Sequence, residues 1–247
     1  MLDSIIEDVI ELQNPLRRVP ETEMIADAIA GLHGSFQGAS RNGKMLAGMV
    51  PMVLPRQGIH PANTELLDAS ISFRFGSSIS NDSAIEDVFS EIQVCVRGKL
   101  PIDGGFATLE DHWRIDTQVK QEGNLPKESH PLFHFQRGGH AQDAFAGVPG
   151  FAPGPDLKIT GFEWRGLMQN PGPRIPVVPM CPSAAINFAL AQHDGVVWRK
   201  LMNDPEYSNV IDRCQNRLWA MYADALVDEK RRRILLGHFC INGKFSA

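Results

Sequence analysis

The chain has 247 residues, 43% of them apolar and 21% charged, the profile of a folded globular chain rather than a disordered or fibrous one. Its formal net charge of −5 excludes a surface built throughout to grip nucleic acid or anionic lipid, although a local basic patch is compatible with it. Four scattered cysteines without a C-x-x-C pair (Cys95, Cys181, Cys214, Cys240) argue against a disulfide framework and read as reduced thiols in a cytoplasm.

No low-complexity linker divides the chain, so it reads as a single α+β domain, 1–247. Within it the pattern separates a helical segment at 1–60, an antiparallel sheet at 64–166, a Pro-rich connection at 167–182 and C-terminal helices at 183–237. Asp3, Glu7 and Asp8 stand where a signal peptide would need a basic start and an apolar run. No apolar stretch approaches the roughly 20 residues of a membrane-spanning helix, so no membrane partner is expected.

Leu2, Ile5, Ile6, Val9 and Ile10 recur at helical spacing and predict a first helix ending near Leu12. Pro20, Glu21 and Glu23 predict the start of a second, with Met24, Ile25, Ala28, Ile29 and Leu32 as its stripe and Gly34 as its stop. The period then changes to two. Asp68–Phe75, Glu91–Lys99 and 112–119 alternate polar and apolar residues, and 132–137 and 157–165 complete a set of five strands. With no helix-length insert between most of them, they predict a mainly antiparallel meander. The connections 76–90, 100–110 and 120–129 read as long loops, and 138–156 and 166–182 as Gly- and Pro-rich ones. Helices follow: one capped by Ser183 and stopped by Gly195, a short one at 196–202, and a long one opened by Pro205. That last helix has Val210, Ile211, Cys214, Leu218, Met221, Tyr222 and Leu226 on its stripe. Lys230–Arg233 complements its C-terminal dipole.

Alternation also assigns faces. Ala69, Ile71, Phe73, Phe75, Ile92, Val94, Val96, Trp113, Ile115, Thr117, Val119, Phe133 and Phe135 form a dry side for the helices to cover. The other side gathers the candidate chemistry. His134 and His112 are candidate general bases, Asp116 a candidate orienter, and Arg97, Arg114, Arg74 and Gln136 candidate binding groups for a phosphate. A solvated outer face with no role explains the same pattern. His130, His134 and His140 are the one histidine cluster in which a divalent metal is conceivable. An extended strand spaces His130 and His134 about 13 Å apart, so no cofactor is predicted. His130-Pro131 resembles the histidine–proline step of ubiquitin-conjugating folds. Those folds place a catalytic cysteine shortly after it, and here the next is Cys181, so the resemblance is set aside.

Neither a G-x-S-x-G elbow nor a phosphate-cradling glycine motif is present. The primary expectation is therefore a non-enzymatic, cytoplasmic interaction subunit of a multi-component bacterial system. It would contact another protein through residues 142–156 and 167–182. The alternative is a phosphodiester hydrolase of nuclease type, acting with His134, His112 and Asp116 on a nucleic acid partner.

Overall fold

In β2 (Glu65–Ser77), Ala69, Ile71, Phe73 and Phe75 fall on one side of the pleat and all four are buried, as the alternation requires. The computed structural model describes residues 1–42, 45–52, 54, 64–77, 84–102, 105–117, 131–137 and 175–237. Among the described residues six strands pair antiparallel in chain order: β1 (Leu46–Pro51), β2, β3 (Val88–Ile102), β4 (Gly105–Thr117), β5 (Phe133–Arg137) and β6 (Ile175–Pro176). The α+β antiparallel meander is as expected, and β1 and β6 are additional to the expected strands. Residues 157–165, expected as a strand, lie outside the described residues, as do Gln118 and Val119.

Three expectations about the sheet change. Residues 46–51 are a strand and not part of a helical segment, because Leu46 and Val50 pair across from Phe75 and Ile71 and join the same dry face. The stretch 100–110 is strand over all its described residues, and 76–90 gives 76–77 to β2 and 88–90 to β3. The pairing Ile102↔Gly105 leaves only Asp103-Gly104 between β3 and β4, and Asp-Gly between two extended runs is a tight-hairpin signal. The Pro-rich connection contributes β6, whose Ile175 pairs with Phe135.

The helices cover the dry face. They are α1 (Leu2–Glu11), α2 (Gln13–Arg17), α3 (Glu23–Gly31), α4 (His33–Asn42), α5 (Pro182–His193), α6 (Gly195–Met202), α7 (Pro205–Val227) and α8 (Glu229–Leu236). Gly34 does not stop a helix; it lies in the first turn of α4, while Leu32 separates α3 from α4. Ser183 is not a cap either. Cys181 occupies the N-cap with Pro182 after it, and Ser183 is buried one position further on. α5 is apolar nearly all round because it runs through the middle of the core, against β2 and β3 on one side and α1 and α7 on the other. Asn187 is its polar anchor, accepting hydrogen bonds from Trp198 Nε1 at 2.9 Å and the Tyr207 hydroxyl at 3.3 Å.

α7 buries Val210, Ile211, Cys214, Leu218 and Tyr222, the expected stripe, but it ends at Val227. Asp228 then accepts from Arg231 N at 2.8 Å and starts α8, so Lys230–Arg233 lies in the opening turns of a new helix rather than at the end of a long one. The run is occupied locally. Arg231 grips Glu86 through two bonds of 2.6 and 2.9 Å, Arg232 donates to the Leu226 carbonyl and Arg233 to Glu229.

Gly98 in β3 is dictated by a close approach. A register shift between Leu66 and Asp68 brings β2 against Gly98, where a Cβ would stand 2.5 Å from Thr64 Cγ2 and 3.1 Å from the Glu65 carbonyl oxygen. The backbone oxygen has little room to yield. Gly98→Ala is expected to lower the unfolding free energy by about 1–3 kcal/mol in urea titration. A neutral or stabilising result would show that the bulge relaxes at no cost.

Candidate functional site

Cross-strand register turns the polar face into ordered rows. One row runs Arg74–Glu91–Asp116–His134 across β2, β3, β4 and β5. The next runs Ser72–Gln93–Arg114–Gln136, and a third Ser70–Cys95–His112. All the candidate site residues in the described segments therefore share one face, as the alternation predicts. His130 and His140 lie outside the described residues.

The structure joins some of these residues and separates others. His134 Nε2 stands 2.7 Å from Asp116 Oδ1, and Arg114 Nε stands 3.1 Å from Asp116 Oδ2. The angles at Arg114 Nε and Asp116 Oδ1 fall short of hydrogen-bond geometry, so the contacts are electrostatic, that to His134 only when the imidazole is protonated. Arg114 Nη2 donates to Gln136 Oε1 at 2.9 Å. His134, Asp116, Arg114 and Gln136 thus form one cluster. His112 does not join it. Four residues along the same strand place it about 13 Å from Asp116, with Arg114 between them.

Burial corrects the picture of a uniformly wet face. His134 is 2% exposed, His112 3% and Gln136 1%, whereas Arg74 and Arg97 on β2 and β3 are about half exposed. The β4–β5 side is closed and the β2–β3 side is open. A general base must reach the proton it removes within hydrogen-bond distance, and a closed histidine does so only if its cover moves. The arginines are also engaged. Arg74 Nη1 lies 3.0 Å from Glu91, Arg97 Nη2 2.8 Å from Asp68, and Arg114 3.1 Å from Asp116. Each carboxylate offsets most of the field that would draw a phosphate to that spot. Glu91 and Asp68 were legible at the right parity, but that they pair with Arg74 and Arg97 is decided by register.

Cys95 stands directly across from His112, a pairing that sequence spacing conceals. Its surroundings disfavour the thiolate. Burial, and after it the neighbouring Glu110 carboxylate, pushes its thiol up to about 11. Among the described residues no group of three or more His, Cys, Asp or Glu side chains is placed to hold a metal ion. Nor is any helix among them long and apolar enough to cross a membrane.

The exposed parts of this face have a different character. Met49 on β1 is 62% exposed and Phe106 on β4 58%, and both belong to this face by register and parity. Arg74 lies over the Phe89 ring at 5.5 Å and Lys99 over the Phe106 ring at 4.1 Å. The pairs Leu100↔Ala107, Pro101↔Phe106 and Ile102↔Gly105 carry β3 and β4 beyond Glu65↔Lys99, the last pair made with β2, so Phe106 lies on a two-stranded extension. No family model, no curated protein and no solved structure matches the chain.

Proposed function

We propose that the chain is a non-enzymatic, cytoplasmic interaction subunit of a multi-component bacterial system, and that it recognises a partner protein with the open half of the polar sheet face. One observation carries this reading: the arginines of that face are already neutralised by carboxylates, while Met49 and Phe106 stand uncovered on the same face. Internally balanced charge around exposed aromatic and methionine side chains suits a protein partner better than a polyanion. The partner segments expected from sequence, 142–156 and the first half of 167–182, lie outside the described residues.

A photo-activated cross-linking residue at position 49 or 106, used in the source cells, is the direct test. The expected result is one discrete adduct from both positions and none from position 229, an exposed site on α8. Equal, diffuse labelling from all three positions would overturn the proposal.

The hydrolase reading has one observation in its favour, the 2.7 Å approach of His134 to Asp116 with Arg114 alongside. It requires phosphodiester turnover by the purified chain that His134→Gln reduces by about 10²–10⁴-fold, the usual worth of a general base. Under the interaction reading, neither His134→Gln nor His112→Gln changes hydrolysis of a model phosphodiester or of single-stranded RNA.

A further inference from the structure

Trp113 is buried on the dry side of β4, and its indole Nε1–H donates to Nε2 of His193 at 3.1 Å. The two ring planes lie within 8° of each other with centroids 6.2 Å apart, a separation that suits rings joined edge to edge by an in-plane bond. Phe188 meets the indole edge-on at 5.4 Å and Phe135 lies at 5.9 Å, so the indole is held from two further sides. His193 is the last residue of α5, and Asp194 beside it is the N-cap of α6, accepting from Val197 N at 3.1 Å. The Trp113–His193 bond therefore fastens the α5–α6 corner to the sheet.

An indole nitrogen only donates, so His193 Nε2 must carry the lone pair and the ring proton must sit on Nδ1. A proton added at Nε2 sets two N–H donors against each other. We propose that His193 is a pH-sensitive latch, closed while its ring is neutral and released from Trp113 by protonation, which frees the α5–α6 corner from β4. This device stands whatever the open sheet face recognises.

Among the described residues, the charged groups acting on the ring come from β4, β5 and its own corner. Asp111 on β4 favours the imidazolium and Arg137 on β5 opposes it. The two are paired to each other at 2.7 Å, so their effects largely cancel. The C-terminal dipole of α5 also favours the cation. Burial outweighs them and lowers the His193 pKa below its ordinary value of 6.5. As pH falls below 6.5 the unfolded chain therefore takes up the proton first. The stability contributed by the neutral latch is complete above that value and is lost between it and the lower folded-state pKa.

The test follows the Trp113 indole resonance, identified by its absence in Trp113→Phe, in nitrogen-labelled protein titrated from about pH 7.5 to about pH 5. In the native chain the resonance moves with one midpoint below the ordinary histidine value, and amides 194–198 lose protection with the same midpoint. In His193→Gln, whose side-chain oxygen accepts at every pH, the indole resonance holds still and the fall in thermal stability over this range becomes smaller. The proposal is overturned if the native resonance does not move, or if it moves equally in His193→Gln. Should that variant fail to fold, the ring nitrogens of native His193 decide: Nε2 already protonated at about pH 7.5 refutes the latch, and Nε2 unprotonated there but protonated near pH 5 supports it.

Discussion

Asp8→Ala is expected to lower the unfolding free energy by about 2–4 kcal/mol, with no change in the sheet. Asp8 lies on α1 and is 1% exposed. Its two oxygens are held by α7: Arg213 Nη2 is 2.8 Å from Oδ1 and Arg217 Nη1 2.6 Å from Oδ2. Removing the carboxylate takes away the buried charge that both guanidinium groups approach. Losing one member of a buried pair costs about 3–5 kcal/mol because the survivor is desolvated and unopposed. The lower end applies here for a stated reason. Arg213 is about half exposed and keeps Glu11 at 2.5 Å, so water and a second carboxylate absorb part of the loss. Arg217 is the more enclosed of the two, which makes Asp8–Arg217 the stronger coupling. A double-mutant cycle on Asp8→Ala and Arg217→Met, read by urea unfolding, should return a coupling of about 1–3 kcal/mol. Strict additivity would mean that the pair is ornamental and that apolar packing alone seats α1 on α7.

Phe73→Ala should cost about 3–5 kcal/mol, as for other buried aromatic truncations. Phe73 lies mid-sheet on the dry face, in register with Gly48 on β1 and Ile92 on β3. Its ring occupies the space a side chain at position 48 would take: a Cβ there would stand 2.6 Å from Phe73 Cζ and 2.6 Å from Leu32 Cδ1. The glycine and the phenylalanine are thus one packing decision, and α3 with Leu32 closes over both. Gly48→Ala in the native background is expected to be destabilising, because two core groups must give way. In the Phe73→Ala background the same change fills part of the cavity and should cost less, or help. A cycle showing equal effects of Gly48→Ala in both backgrounds would refute this coupling.

Much of the fold was legible from sequence because its signals are local. The period-two runs at 68–75, 91–99 and 112–117 place Phe73, Ile92 and Ile115 on one side and Arg74, Gln93 and Arg114 on the other without knowledge of pairing. Element ends were less legible. Cys181, Pro182 and Ser183 all stand near a helix start, and a proline at the first helical position moved the cap one residue outward from Pro182. The strand at 46–51 looked like a short apolar stretch because an edge strand with Gly48 and Pro51 carries weak strand propensity; its place comes from pairing with β2.

The candidate site divides in the same way. Parity put His112, Asp116 and His134 on a common face, but only register could set Asp116 beside His134 and leave His112 opposite Cys95. Parity marked Arg74 and Arg97 as candidate phosphate-binding groups, and strand pairing gave each a carboxylate. Side-chain alternation is a property of one extended backbone and is written in the order of residues. Which partner faces which, and which side chains lose their water, depends on contacts between residues far apart in the chain. These are settled when the sheet closes and α5 threads the core, and so it is the assembled structure that shuts His134 in and leaves Met49 and Phe106 in the open.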